Sequence, residues 1–204
     1  MYVPPHNRNE DRTEQLAFMR AHSFAAFITA PEGRPQATHL PCLVEESGEQ
    51  VRIVAHLARA NPQWRDFDGV SEALVIFTGP HAYVSPRHYD RIASVPTWNY
   101  VAVHASGPVR LIEERAEKVT LLERLIAETE PAYRAQFDAL PADYREKMLG
   151  GMVGFAIDVE RIDARFKLSQ EKAPAERERI IAEYESASTD ELAALARMMR
   201  EHGR

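Results

Sequence analysis

The sequence predicts a mixed α+β fold with an antiparallel β-barrel at its centre. Three observations carry this. Period-2 alternation of apolar and polar residues recurs from Ser23 to Ile112, each run bounded by turn residues. The runs are mostly joined by short turns, as antiparallel neighbours require, and this many strands curl most easily into a small barrel. Helical spacing is confined to a first short segment, a stretch after Arg115 and the C-terminal end.

In order, Asp11 to His22 reads as a short helix with Leu16 and Met19 facing inward. Ser23 to Ala30 is a buried strand, and PEGRP turns the chain into a second, Gln36 to Val44. A third strand covers Gln50 to Leu57. A fourth covers Ala73 to Thr78, ends at Gly79-Pro80 and resumes as HAYVS, and a long strand follows from Tyr100 to Ile112. Arg115 to Glu128 places Val119, Leu122 and Ile126 at helical spacing, and Pro131 and Pro141 open two shorter helical pieces. Gly150 to Ser169 returns to strand. Helices at Ala175 to Glu185 and Thr189 to His202 close the chain, the last with Ser188 and Glu191 spaced as a capping box. The domain organisation expected is a barrel over 1–170, interrupted by a helical insertion at about 115–149, with C-terminal helices over 171–204 packing on the barrel or on a dimer partner.

Of 204 residues, 45% are apolar and 27% charged, which supports a sizeable core. A net charge of −6 opposes broad, charge-driven nucleic-acid binding and leaves room for a small basic patch. Cys42 is the one cysteine, so no intrachain disulfide forms. MYVPPHNRNEDR lacks a basic leader and an apolar core, and no apolar run approaches the roughly 18 residues of a membrane helix. A cytoplasmic, non-membrane protein is expected.

The segment VRIVAHLARANPQW carries the strongest chemical signal. Alternation puts Val51, Ile53, Ala55 and Leu57 on one face and Arg52, Val54, His56 and Ala58 on the other. The strand runs into Arg59, then Asn61 and Pro62, a favoured N-cap and first helical residue. A helix start offers unpaired N–H groups, and Arg59 adds a forked cation, so a phosphate could sit here. An ordinary strand-to-helix turn with a solvated arginine explains the same residues. In ATHLPCLV, Pro41 cannot donate to a ladder, so it marks an edge or bulge: either backbone groups are left for a ligand, or the proline blocks aggregation. Arg165, Lys167 and Ser169 gather on one strand face, as a second anion contact or a solvated surface.

Eight histidines raise a metal site, yet no HxH, no HExxH and no second cysteine occur. Cys42, on the apolar face of its strand, reads as packing rather than nucleophile. The two C-terminal helices imitate a helix-turn-helix, but the second opens with Thr189, Asp190 and Glu191, which repel DNA. Leu192, Leu195, Ala196 and Met199 make a core or dimer face instead.

The segments ATHLPCLV, HLARANPQW, GPHAYVSP, VPTWNYVAVHASG and FKLSQ, in this order and spacing, resemble the PaiB family of FMN-binding negative transcriptional regulators. The resemblance covers essentially the whole chain. It implies an antiparallel split barrel of the FMN-binding type, with peripheral helices, akin to pyridoxamine-phosphate oxidases and flavin reductases. It also implies a homodimer with FMN at the subunit interface. On this resemblance Thr38, His39, Leu40 and Pro41 offer backbone groups to the polar edge of the isoalloxazine. His56, Leu57, Ala58, Arg59 and Asn61, with Trp64, cradle the phosphate. Thr97, Trp98 and Asn99, with Lys167, Ser169 and Gln170, complete the pocket or come from the partner subunit. Two departures are visible: Cys42 stands where the family often has an aromatic residue, and Glu171 where an Asn is common. The functions this leaves are an FMN-dependent regulator, an FMN-dependent oxidoreductase using NAD(P)H, or a non-catalytic binder of another phosphorylated ligand or haem. DNA remains a possible partner that the charge does not favour.

Overall fold

The computed structural model describes residues 1–70 and 72–202, so Gly203 and Arg204, the end of the expected C-terminal segment, lie outside the described residues. Among the described residues the chain forms nine strands and six α-helices. These are β1 Phe24–Thr29, β2 Gln36–Pro41, β3 Leu43–Ser47, β4 Gln50–Ala58, β5 Ala73–Val84, β6 Thr97–Gly107, β7 Val109–Ile112, β8 Met152–Val159 and β9 Arg161–Lys167. The helices are α1 Arg12–Ala21, α2 Arg115–Thr129, α3 Arg134–Asp138, α4 Ala142–Gly150, α5 Pro174–Ser186 and α6 Asp190–Glu201. A five-stranded sheet has the order β2-β1-β5-β6-β9 and a four-stranded sheet the order β3-β4-β8-β7. The described registers are antiparallel, for example Phe27 opposite Thr38 and His56 opposite Gly154. The α+β class expected from the alternation is the one observed.

Three expected strands are each two strands. Gln36 to Val44 breaks at Cys42, Tyr100 to Ile112 at Pro108, and Gly150 to Ser169 at Glu160. At each single-residue break the chain leaves one sheet for the other. The backbone there is paired sideways: Cys42 N–H donates to Ser23 O at 2.8 Å, and Glu160 N–H to Ser106 O at 2.9 Å. Gly107 precedes one of these corners, where a Cβ would stand 1.9 Å from the Asp158 carbonyl oxygen. Only glycine fits this approach. Conversely, β5 does not end at Gly79-Pro80 but runs through it to Val84. A proline is compatible with a strand wherever its missing N–H would not face a ladder partner.

By its internal contacts the chain divides into two units. One comprises Met1–Phe18, Thr78–His104 and the chain from Asp163 onward; the other comprises Met19–Phe77 and Ala105–Ile162. The second unit is centred on Phe27, Phe67 and Phe155, whose ring centroids lie 4.5 to 5.7 Å apart in tilted and edge-on pairs. Burying each such ring contributes about 1.5–3 kcal/mol. A further cluster of Leu43, Val54, Ile112, Leu121, Leu149, Met152 and Ala156 seats the helices of the insertion. In the first unit Phe18 meets Phe166 at 5.7 Å, and α5 packs on α6 with Ile180, Ile181, Leu195, Ala196 and Met199 buried. The apolar face expected of the last helix is thus core at those three positions, and Leu192 is half-buried.

The expected capping box of that helix does not form. Thr189 is the N-cap and makes no side-chain cap bond. The Glu191 carboxylate instead accepts the His81 backbone N–H at 3.2 Å and lies 3.0 Å from its ring Nδ1. Among the described residues no helix is long and apolar enough to cross a membrane.

Candidate functional site

The sequence-predicted residues fall into two groups, each within one unit. The first joins β2 to the end of β4 and the turn after it. Pro62–Gly69 is helical as expected, though of the 3₁₀ kind. Asn61 caps it, accepting the Gln63 N–H through Oδ1 at 3.0 Å. Asn61 Nδ2 also donates to Thr38 Oγ1 at 2.9 Å, and that hydroxyl donates to Gln63 Oε1 at 2.7 Å. Gln63 is buried, and its Nε2 donates to Thr29 Oγ1 at 3.1 Å and to Gln36 O at 3.3 Å. This closed set of bonds locks the helix start onto β1 and β2. Beside it, β2 is the outermost strand of its sheet, so residues Thr38 to Pro41 present one row of backbone groups away from β1.

Arg59 is exposed but not loose. Its backbone N–H donates to Gly151 O at 2.9 Å, its Nε to Gly150 O at 2.7 Å and its Nη2 to Met152 O at 3.3 Å. These bonds satisfy carbonyls from the end of α4 to the start of β8 and fix the guanidinium, with Nη1 left for an outside acceptor. Trp64 donates its indole N–H to Arg59 O at 3.1 Å, and its ring lies 5.7 Å from the Arg59 guanidinium carbon and 5.3 Å from that of Arg65. Two cations therefore share one aromatic ring at the helix start.

His56 is half-buried, its Nδ1 enclosed without a hydrogen-bond partner, and burial lowers its pKa, so the ring is neutral at pH 7. A neutral imidazole with an orphaned nitrogen is a ready partner for a polar ligand. Leu57 beside it is core, and Ala58 is exposed. His39 is exposed, its ring 6.2 Å from that of Phe24. Leu40 is buried and Pro41 half-buried. Cys42 is buried, and desolvation pushes its thiol up to about 12, far from a thiolate nucleophile.

The second group is brought together because β6 and β9 are neighbours. Lys167 donates its ammonium to Thr97 Oγ1, and to Trp98 O at 2.6 Å; burial, chiefly, lowers its pKa. Asn99 is fully buried: Ser169 donates to its Oδ1 at 2.9 Å, and its Nδ2 meets Met199 Sδ at 3.5 Å. Ser169 does not share a strand face with Arg165 and Lys167, since it lies past the end of β9 with a φ of 59°. Gln170 folds back on its own turn, accepting the Leu168 N–H at 2.8 Å and donating to Phe166 O. Trp98 alone of the group is largely outside, 52% exposed, with His81 and Tyr83 rings each 6.1 Å away.

Two residues escaped the sequence reading. Gln63 is an unremarkable letter behind Pro62, and nothing local marks it as the buried hub. Arg65 was legible in principle, because the sequence RANPQWR flanks one tryptophan with two arginines.

The donor inventory fits FMN: a fixed guanidinium beside a second cation, a capped helix start, an edge strand and an orphaned imidazole nitrogen match a phosphate and a polar ring edge. With the two sheets and the helical insertion, this defines the class of FMN-binding split barrels. Comparison with known proteins agrees. The family described as "Putative FMN-binding domain" matches residues 1–161. The chain is 36% identical over 98% of its length, and 97% of the relative's, to the Bacillus subtilis (strain 168) "Protease synthase and sporulation protein PAI 2". An uncharacterized Emericella nidulans protein is 27% identical over 82% of each chain. Among solved structures, the flavocytochrome Anf3 of Azotobacter vinelandii superimposes with a TM-score of 0.64 at 16% identity, covering 81% of this chain and 72% of that one. An FAD- and haem-binding protein from Mycobacterium smegmatis gives 0.62 at 17% identity over 79% and 73%. The chain belongs to the PaiB-type family of FMN-binding domains, and FMN is its cofactor.

Proposed function

We propose that the protein is a flavin-dependent regulator, a homodimer with FMN at the subunit interface, acting negatively on gene expression without reading DNA by charge. The observation that carries the cofactor assignment is Arg59, held by Gly150 and Met152 with Nη1 to spare, beside the Asn61 helix start and Arg65. We assign these to the phosphate and the edge of β2, Thr38 to Pro41, to the polar rim of the ring, with His56, Leu57, Ala58 and Trp64 shaping the cradle. Trp98 is assigned to the flavin face. Thr97, Lys167, Asn99, Ser169 and Gln170 hold that segment in position. FMN, when bound, supplies two-electron redox chemistry, and the chain supplies binding and orientation. Dimerisation is supported by exposed apolar residues on the same unit as Trp98, namely Ile92 at 101%, Val95 at 77% and Tyr83 at 50%. The regulatory part is supported by the identity to the Bacillus protein, whose name ties it to protease synthesis and sporulation.

The test is the visible spectrum of freshly purified protein, followed by heating and identification of what is released. Oxidised-flavin bands with FMN in the supernatant are expected; a colourless protein that also refuses added FMN overturns the assignment. Anaerobic bleaching of the flavin by NAD(P)H would move the protein to the oxidoreductases. Trp98→Ala should loosen the dimer in sedimentation or weaken FMN, and if neither changes, its assigned role is wrong.

A further inference from the structure

Gln63 is 1% exposed, so it has no surface of its own to offer a ligand. We propose that it is a positioning residue: it makes the Thr38 hydroxyl an acceptor toward FMN and bars it from donating. The direction of every bond around it is set by backbone groups at the two ends of the network. At one end the Gln63 backbone N–H can only donate, so the Asn61 atom it meets at 3.0 Å is the oxygen. Asn61 therefore turns its Nδ2 to Thr38 Oγ1, at 2.9 Å, and the hydroxyl accepts there. At the other end the Gln36 carbonyl can only accept. The Gln63 side chain accordingly turns Nε2 to it at 3.3 Å, and to Thr29 Oγ1 at 3.1 Å. That leaves Gln63 Oε1 facing Thr38 Oγ1 at 2.7 Å, where the hydroxyl donates. Reversing either amide would set N–H against N–H or oxygen against oxygen around a buried side chain.

A threonine hydroxyl has one proton and two lone pairs. At Thr38 the proton is taken up by Gln63 and one lone pair by Asn61, so a ligand meets only the other lone pair. Asn61 Nδ2 keeps its second hydrogen. An acceptor and a donor thus stand 2.9 Å apart at the start of the 62–69 helix. An ionised phosphate has no proton for Thr38 and belongs with Asn61 and Arg59. In FMN the carbon next to the phosphorylated one carries a ribityl hydroxyl, which can donate. Phosphate on Asn61 therefore brings that hydroxyl to Thr38, while the backbone of β2 is left for the ring. This assignment of the ribityl hydroxyl rests on the FMN reading above.

The experiment compares FMN with an analogue in which fluorine, which has lone pairs and no proton, replaces that ribityl hydroxyl. Both are titrated by flavin fluorescence into the full-length protein freed of flavin. The unmodified protein should prefer FMN roughly tenfold. Gln63→Met has no acceptor for the Thr38 proton, so the hydroxyl can rotate and present that proton to fluorine. The two ligands should then bind within about threefold of each other. Thr38→Val should narrow the ratio in the same way. Gln63→Glu at about pH 5, where burial keeps the carboxyl protonated, can still accept from Thr38 and donate to Gln36, so the preference should return. A role confined to stability would lower both affinities together and leave their ratio unchanged. An unaltered ratio in Gln63→Met or Thr38→Val, or no preference in the unmodified protein, overturns the assignment. Should Gln63→Met fail to fold by circular dichroism, Thr38→Val against Gln63→Glu decides it by the same ratio. Unmodified protein that binds neither flavin overturns the FMN reading itself, whereas one ratio shared by all variants overturns only the role of Gln63 and Thr38.

Discussion

Arg59 donates two side-chain N–H groups to carbonyls of its own chain, which orients its Nη1 for the phosphate contact proposed above. Lysine in its place would keep the charge and lose this fixation. Arg59→Ala should weaken FMN by roughly ten- to a hundred-fold, the worth of one or two charge-assisted bonds, and weaken riboflavin much less. Fluorescence titration with both flavins checks it, and equal losses would sink the phosphate assignment. Cys42 offers a residue-scale prediction with a definite sign. Its thiol has an ordinary value of 9.0 and is pushed up to about 12 by burial. The unfolded chain therefore loses its proton first. The stability that burial of the neutral thiol contributes is complete below pH 9.0 and is lost as pH rises from there toward about 12. Native protein should be inert to a thiol reagent at pH 8 and show one reactive thiol after denaturation. In denaturant melts, the advantage of the native chain over Cys42→Ala should shrink as pH rises past 9.0.

At the scale of elements, the corners decide the architecture. Cys42, Pro108 and Glu160 each hand the chain from one sheet to the other, and Gly107 sits 1.9 Å, as a virtual Cβ, from Asp158 O. Gly107→Ala must push β6 away from the end of β8, and should cost about 1–3 kcal/mol or more by urea unfolding. An unchanged midpoint would show that the corner relaxes freely. These corners also explain which parts of the fold the sequence made legible. Alternation gave the strands and their faces, since the burial of Val51, Ile53, Ala55 and Leu57 follows the period. It could not reveal a change of sheet, because a single unpaired residue interrupts a period-2 pattern too little to be seen. Pro41 was a partial exception: its missing N–H marked an edge or bulge, and β2 is the edge strand of its sheet and ends at that residue. The helix start at Asn61 was readable from its cap chemistry, whereas Gln63 was not, since its burial depends on three partners on distant strands. The Ser188–Glu191 pairing failed for the same kind of reason: a distant backbone N–H on His81 competed for the carboxylate.

At the scale of the whole molecule, a net charge of −6 sets how the protein meets nucleic acid. Non-specific affinity for DNA comes from cations that displace counterions, so an acidic protein needs a local basic surface to bind at all. α6, which has the order of a recognition helix after α5, does not provide it. Its first turn holds Asp190 and Glu191, Glu191 is engaged with His81, and Leu195, Ala196 and Met199 are buried. Arg200 near its end is paired with Glu178 and Glu185. A reading role would require α6 to unpack and bring two carboxylates against phosphates. The regulatory role proposed above is therefore one exerted through a partner or through the state of the flavin. Gel-shift titrations with random and promoter DNA at ~50 and ~200 mM salt should show no retention by the purified protein at either concentration. Retention that falls steeply between the two would reveal a basic surface and return direct operator binding to the mechanism.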